Sequence, residues 1–155
     1  MKKIALMILI ATVVASGLWA NSGVSVGGGL DVNMGSNMEP TGSGNINIEF
    51  KPIGFFGFGA KMSAKTDFDN FFSASPSIFA RLYPFSNAFA EGSIGGNFSW
   101  QDSKLANKSI TAGASIGWRI TTGNSYIEPK ISLDYVFGAA EPFSWAAGIG
   151  AGYSF

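Results

Sequence analysis

The chemistry open to this chain is narrow. Its 155 residues include no histidine and no cysteine, so it lacks the imidazole of a Ser-His-Asp site and any thiolate for a nucleophile, a disulfide or a soft-metal centre. The titratable groups that alternate with apolar residues are Asp31, Glu49, Lys61, Arg81, Glu91, Arg119, Glu128, Lys130 and Asp134. Paired carboxylates can catalyse hydrolysis, but these acids come with basic neighbours, and ion pairing is the simpler role. Gly148-Ile149-Gly150-Ala151-Gly152 copies part of a dinucleotide fingerprint without the helix that such a site needs. The glycosylation-like triplets Asn97-Phe98-Ser99 and Asn107-Lys108-Ser109 carry little information. No catalytic residue, cofactor or metal site is therefore expected, and the chain is expected not to be an enzyme.

Extended strands would position those charges. From Phe143 to Phe155 every odd residue is Phe, Trp, Ala, Ile or Tyr and every even one is Ser, Ala or Gly, a period of two that puts one greasy face opposite one small face. The same alternation predicts eight strands, at about residues 23–34, 44–51, 54–65, 71–84, 87–101, 108–121, 125–137 and 143–155. Most reach the ~9–11 residues that a tilted strand needs to cross a bilayer. Parity sends Val24, Leu30, Ile46, Phe58, Ile78, Ile94, Ile116 and Leu133 to one face and all nine charged residues to the other. Pro76 departs from the pattern and predicts a bulge or an edge.

Composition says which face meets what. Hydrophobic residues make up 46% of the chain and charged residues 13%, yet no apolar run after the N-terminal segment is long enough for a membrane helix. That combination belongs to membrane β-barrels, in which apolar residues are diluted by alternation. Residues 1–20 read as a secretory signal peptide: Lys2 and Lys3 precede an uncharged stretch from Ile4 to Val14, with small residues after it. Cleavage after Ala20 or after Gly17 is possible, neither fitting the small-x-small rule fully, and an N-terminal anchor is the competing reading. Without a cysteine the chain is not a lipid-anchored lipoprotein. Residues 21–155 then form one domain with a formal charge of about −2 once Lys2 and Lys3 are removed. No basic surface for nucleic acid is expected.

The connections alternate as well. Lys51-Pro52-Ile53-Gly54, Pro84-Phe85-Ser86-Asn87 and Thr122-Gly123-Asn124-Ser125 read as tight turns, whereas 35–43, 66–70, 101–107 and 138–142 read as longer polar loops. Short turns on one rim and longer loops on the other imply an even strand count. In these features the chain resembles the small eight-stranded bacterial outer-membrane proteins, namely the OmpA transmembrane domain, OmpX and the opacity-type barrels. Leu82-Tyr83-Pro84-Phe85 also looks like a Tyr-Pro-Phe segment of that broad group, although a turn proline between interfacial aromatics explains it equally. The resemblance implies an all-β, antiparallel, up-and-down transmembrane barrel in the bacterial outer membrane. Its partners would be outer-membrane lipid and lipopolysaccharide, with a monomer as the expected state. It also implies that Ile149, Tyr153 and Phe155 form the insertion signal read by the barrel-assembly machinery.

An eight-stranded barrel is only wide enough for side chains to fill it. If Tyr83 lies opposite Phe89, then Arg81 meets Glu91; if Thr121 lies opposite Tyr126, then Arg119 meets Glu128. Paired charges in a narrow lumen predict an ordered, closed interior, the alternative being solvated groups in a wet barrel. The functional expectation is a structural, membrane-integrity or surface-interaction barrel. The alternatives are a narrow porin or transport barrel for small or hydrophobic solutes and a soluble lipocalin-like barrel with the greasy face inside. Aromatic belts are expected at Phe50, Phe55, Phe56, Tyr83, Phe85, Tyr126, Tyr153 and Phe155 on the turn rim, and at Phe71, Phe72, Trp100, Tyr135, Phe137, Phe143 and Trp145 on the loop rim.

Overall fold

A computed structural model describes residues 23–34, 40–66, 71–85, 87–101 and 104–155; the expected signal peptide over 1–20 lies outside them. The strands are β1 (Val24–Met34), β2 (Pro40–Ile53), β3 (Phe56–Thr66), β4 (Phe71–Leu82), β5 (Ala88–Gln101), β6 (Lys104–Trp118), β7 (Ile120–Thr122), β8 (Ser125–Val136) and β9 (Phe143–Ser154). Every neighbouring pair is antiparallel. β1 pairs with β9 from Ser25↔Ser154 to Met34↔Trp145 and closes the sheet into a barrel.

Nine strands make only eight staves. β6 pairs with β8 as far as Gly117↔Lys130 and β7 resumes at Ile120↔Ile127, in one unbroken register. That register sets Trp118 against Pro129, which has no N–H to give to the ladder. On its other side the split stave stays continuous, because the Arg119 N–H donates to the Asn87 carbonyl at 2.6 Å. Pro76 acts alike between β4 and β5, where pairing runs from Phe71↔Gln101 to Ala74↔Phe98 and resumes at Ser77↔Gly95. The expected bulge is absent at Pro76, since the register does not shift. The Ser75 hydroxyl instead donates to Asn97 Oδ1 at 3.0 Å across the gap. Register shifts fall elsewhere, between Phe50 and Ile53 and between Ser99 and Trp100.

Strands run further than the alternation predicts on the loop rim. Residues 40–43 belong to β2 and 104–107 to β6, so backbone pairing takes up sequence that looked like polar loop. On the turn rim, Thr122↔Ser125 brackets a two-residue turn with Gly123 at φ 61°, the left-handed geometry that a twisted hairpin demands.

Alternation decides the two faces. Leu30 is 72% exposed, Ile78 65% and Ile116 65%, whereas Glu49 is 0% exposed. A continuous belt of exposed isoleucine, leucine and aromatic side chains would aggregate in water but is stable against hydrocarbon. Outward rings pair along the rims, including Phe72 with Trp100 at 5.7 Å and Tyr135 with Phe143 at 5.0 Å. The soluble lipocalin-like alternative is overturned, because the polar set faces the lumen and the apolar set faces out. Ile94 stands outward near the middle of β5, so Ile94→Lys is expected to lower the unfolding free energy by about 2–4 kcal/mol. Ser93→Ala, one residue away on the lumen side, should cost less than about 1 kcal/mol. Urea titration in lipid vesicles followed by tryptophan fluorescence measures both, and equal losses would contradict the facing.

Candidate functional site

The lumen has two levels. At the turn end, strands β2, β4, β5 and β8 and the residue between β6 and β7 send Glu49, Arg81, Glu91, Glu128 and Arg119 to one point, all buried. Arg81 and Glu91 sit opposite each other in the β4–β5 register, and Arg81 Nε donates to Glu91 Oε2 at 2.6 Å. Arg81 Nη1 reaches Glu128 at 3.0 and 3.2 Å and Glu49 at 3.3 Å. Arg119 Nη2 donates to Glu49 Oε2 at 2.6 Å, and its Nε donates to Glu128 Oε1. Glu49 thus accepts from both guanidiniums, and the hydroxyl groups of Tyr83 and, at 3.4 Å, Ser25 complete its shell. The planar guanidinium presents its donors in a fixed fork, which suits it to serving several carboxylates at set angles, where a lysine ammonium offers only a compact point charge.

Aromatic rings wall this cluster in. The Arg81 guanidinium lies 4.4 Å from the Phe89 ring centroid and 5.0 Å from that of Phe79, and that of Arg119 lies 4.2 Å from the Tyr126 centroid. Stacking on ring faces offsets part of the hydration that the buried cations lose. Tyr83 and Tyr126, expected in the outer turn-rim belt, are therefore lumen residues. The signal that places them was present: each shares the inward parity of its strand, Tyr83 with Arg81 and Tyr126 with Glu128. Rim position alone suggested a belt. Lys51 closes the turn-side mouth, with its ammonium 3.7 Å from the Tyr83 centroid.

Lys61 joins the two levels through a 2.7 Å salt bridge to Glu91. Beyond it the lumen opens into a polar chamber of about 210 Å³, walled by serine hydroxyls together with Asp31, Lys65, Lys130 and Asp134. Lys130 pairs with Asp31 at 3.2 Å, and Asn45 donates to the other Asp31 oxygen. The Asp134 carboxylate lies over Gly113, and that of Asp31 occupies the space above Gly148. Lys65 in the chamber and Lys51 at the mouth, both inward by parity but left out of the expected charge set, are further members. The lumen is therefore filled only in its turn half. Ile149, Tyr153 and Phe155 take no part in either level; they are 55%, 43% and 50% exposed on the outer face of β9 and its end.

No protein-family model matches the chain, and no curated protein matches it by sequence. Solved structures do. Neisserial surface protein A is similar over 86% of this chain and 96% of its own, with a TM-score of 0.68 and 14% identity. The N-terminal β-barrel domain of Pseudomonas aeruginosa OprF is similar over 88% and 100%, with a TM-score of 0.62 and 12% identity. Ail, the attachment invasion locus protein of Yersinia pestis, is similar over 86% and 97%, with a TM-score of 0.59 and 13% identity. Identities this low show a shared fold, that of the small eight-stranded outer-membrane β-barrels.

The cluster's energetics are testable. Arg81→Met leaves Glu49, Glu91 and Glu128 facing one another without their shared cation and is expected to cost about 3–5 kcal/mol. Adding Glu91→Gln should restore part of that loss. The temperature at which the folded, fast-migrating gel band is lost measures both variants, and a single variant as stable as the parent would show that the cluster contributes nothing.

Proposed function

We propose that this chain is a bacterial outer-membrane barrel that is closed along its axis and acts in membrane integrity or surface interaction, not as an enzyme. The observation that carries this reading is Glu49, fully buried and held by both Arg81 and Arg119 across the lumen. A group so placed blocks passage, and moving it aside would strand charges in a space with little water. The same pairing argues against catalysis, since these carboxylates are engaged with guanidinium groups and have no route to a substrate from the turn side.

The fold and the lipid-facing belt support an outer-membrane location, with outer-membrane lipid and lipopolysaccharide as the surrounding partners. Two of the similar structures are a surface protein and an attachment protein by name, which keeps surface interaction within the reading. Extension of β2 and β6 into the expected loops leaves less sequence for an adhesive surface and favours the integrity role. Ile149, Tyr153 and Phe155 remain our proposed signal for the assembly machinery, being solvent-accessible at the closing edge. The polar chamber is the specific observation favouring a transport role as the second reading.

Planar-bilayer recording separates these readings. Purified protein is expected to give no steady channels, and Arg119→Ala should produce them by removing one of the two cations that hold Glu49; steady conductance by the parent protein would overturn axial closure. Phe155→Ser is expected to reduce the amount of assembled barrel in cells several-fold while the purified chain still folds into vesicles. Unchanged assembly in cells would remove Phe155 from the insertion signal.

A further inference from the structure

The two proline interruptions flank one hairpin. β5 and β6 are paired to each other from Ala88↔Trp118 to Gln101↔Lys104. Their outer seams are broken at Pro76 against β4 and at Pro129 against β8. Both breaks have the same local construction. The residue after each proline faces a glycine, Ser77↔Gly95 in one seam and Gly117↔Lys130 in the other. A Cβ on either glycine would collide with the proline carbonyl oxygen. Glycine thus admits a close approach of backbones at the point where a hydrogen bond is missing. The other seams keep continuous pairing among the described residues apart from the two register shifts.

The wall at the Pro76 seam separates two different surfaces. Inside is the chamber, to which Ser75, Ser77 and Asn97 contribute at this seam and Ser115 and Lys130 at the other. Outside, an apolar groove runs over Pro76, Ile78, Ile94 and Ile110, and Lys61 and Ser77 line both spaces. The wall there is one backbone thick. Two of the chamber's charges, Lys65 and Asp134, lie outside the salt bridges that engage Lys61, Lys130 and Asp31.

We propose that the wall of the β5–β6 hairpin loosens locally at its two proline breaks, with the Arg81–Glu91 and Arg119–Glu128 pairs staying closed, and opens the chamber sideways to the bilayer, admitting a single-chain amphiphile with a small zwitterionic head. The head meets the serine hydroxyls between Lys65 and Asp134, and the chain lies in the outer groove. The chamber has room for about seven waters at ~30 Å³ each, enough for a head group and too little for a chain. This inference rests on the axial closure proposed above, which leaves the wall as the exit on the turn side.

Because the chain has no cysteine, Ser93→Cys places a single thiol on the chamber wall of the hairpin. In phosphatidylcholine vesicles it is expected to react with a bilayer-confined N-dodecylmaleimide. The rate should fall at least tenfold when Pro76→Val and Pro129→Val restore the missing N–H groups. Ile94→Cys, facing the lipid, should react equally in both backgrounds. Lysophosphatidylcholine should slow the Ser93→Cys reaction and dodecanol should not. A thiol reached only by water-soluble reagents, or a rate indifferent to the valines, overturns the sideways opening; equal competition by dodecanol overturns the zwitterionic head. If the valine variant fails to give a heat-shifted gel band, hydrogen exchange on the parent protein decides. Amides along the two proline seams should exchange at least tenfold faster than those of the β1–β2 seam, and uniform protection overturns the proposal. Steady channels in planar bilayers would remove axial closure without altering the labelling result, so the two failures are distinguishable.

Discussion

In hydrocarbon, every backbone N–H and C=O must find its partner within the protein, and this requirement organises the molecule. An open sheet would leave two unpaired edges in lipid, so β1 must meet β9, and because that seam is antiparallel the stave count is even. Closure in turn fixes what alternation means, because only one face of each strand can reach lipid and the other must fill a narrow tube. The requirement also explains why β2 and β6 run into sequence that looks like loop. Residues such as Gly42, Ser43 and Asn107 are poor evidence for a strand by side chain, yet their backbone groups are best satisfied by continuing the ladder.

Charge inside that tube is tolerable only as a network. Arg81 and Arg119 each serve more than one carboxylate, and Phe79, Phe89, Tyr83 and Tyr126 exclude water around them. Low local dielectric strengthens each contact and raises the penalty for losing one, so the cluster acts as a unit. Its members come from strands distant in sequence; Arg119 and Glu49 are 70 residues apart. The cluster therefore ties the first half of the barrel to the second, across the lumen as well as around the wall.

Much of this was legible in the sequence because a period of two is unambiguous where one face meets lipid. The opposition of Arg81 to Glu91 followed from a turn length and a parity, both local quantities. The cross-lumen contacts did not follow, since which strands converge at one depth depends on tilt and stagger, which no local pattern records. Tyr83 and Tyr126 show a different limit: two correct rules, rim aromatics outward and strand parity inward, disagreed, and parity prevailed because a ring can cover a buried guanidinium. Pro76 shows a third. A proline in a strand signals a missing hydrogen bond, but whether the chain bulges or keeps its register depends on the opposite residue, here a strand carrying Gly95 and Gly96.

The two levels of the lumen arise from a gradient in side-chain size, and inside the mouth that Lys51 closes each is balanced by itself. Arg81, Arg119 and Lys61 oppose Glu49, Glu91 and Glu128 at the turn end, and Lys65 and Lys130 oppose Asp31 and Asp134 in the chamber. Had neutrality been met only over the whole lumen, one level would carry net charge and draw counter-ions along the axis, which favours conduction. Balance level by level removes that drive. The fold can then keep a polar chamber at one end without making the barrel a pore, and the difference between the levels comes down to bulk: aromatic rings and arginines where the tube is shut, serines and glycines where it is open.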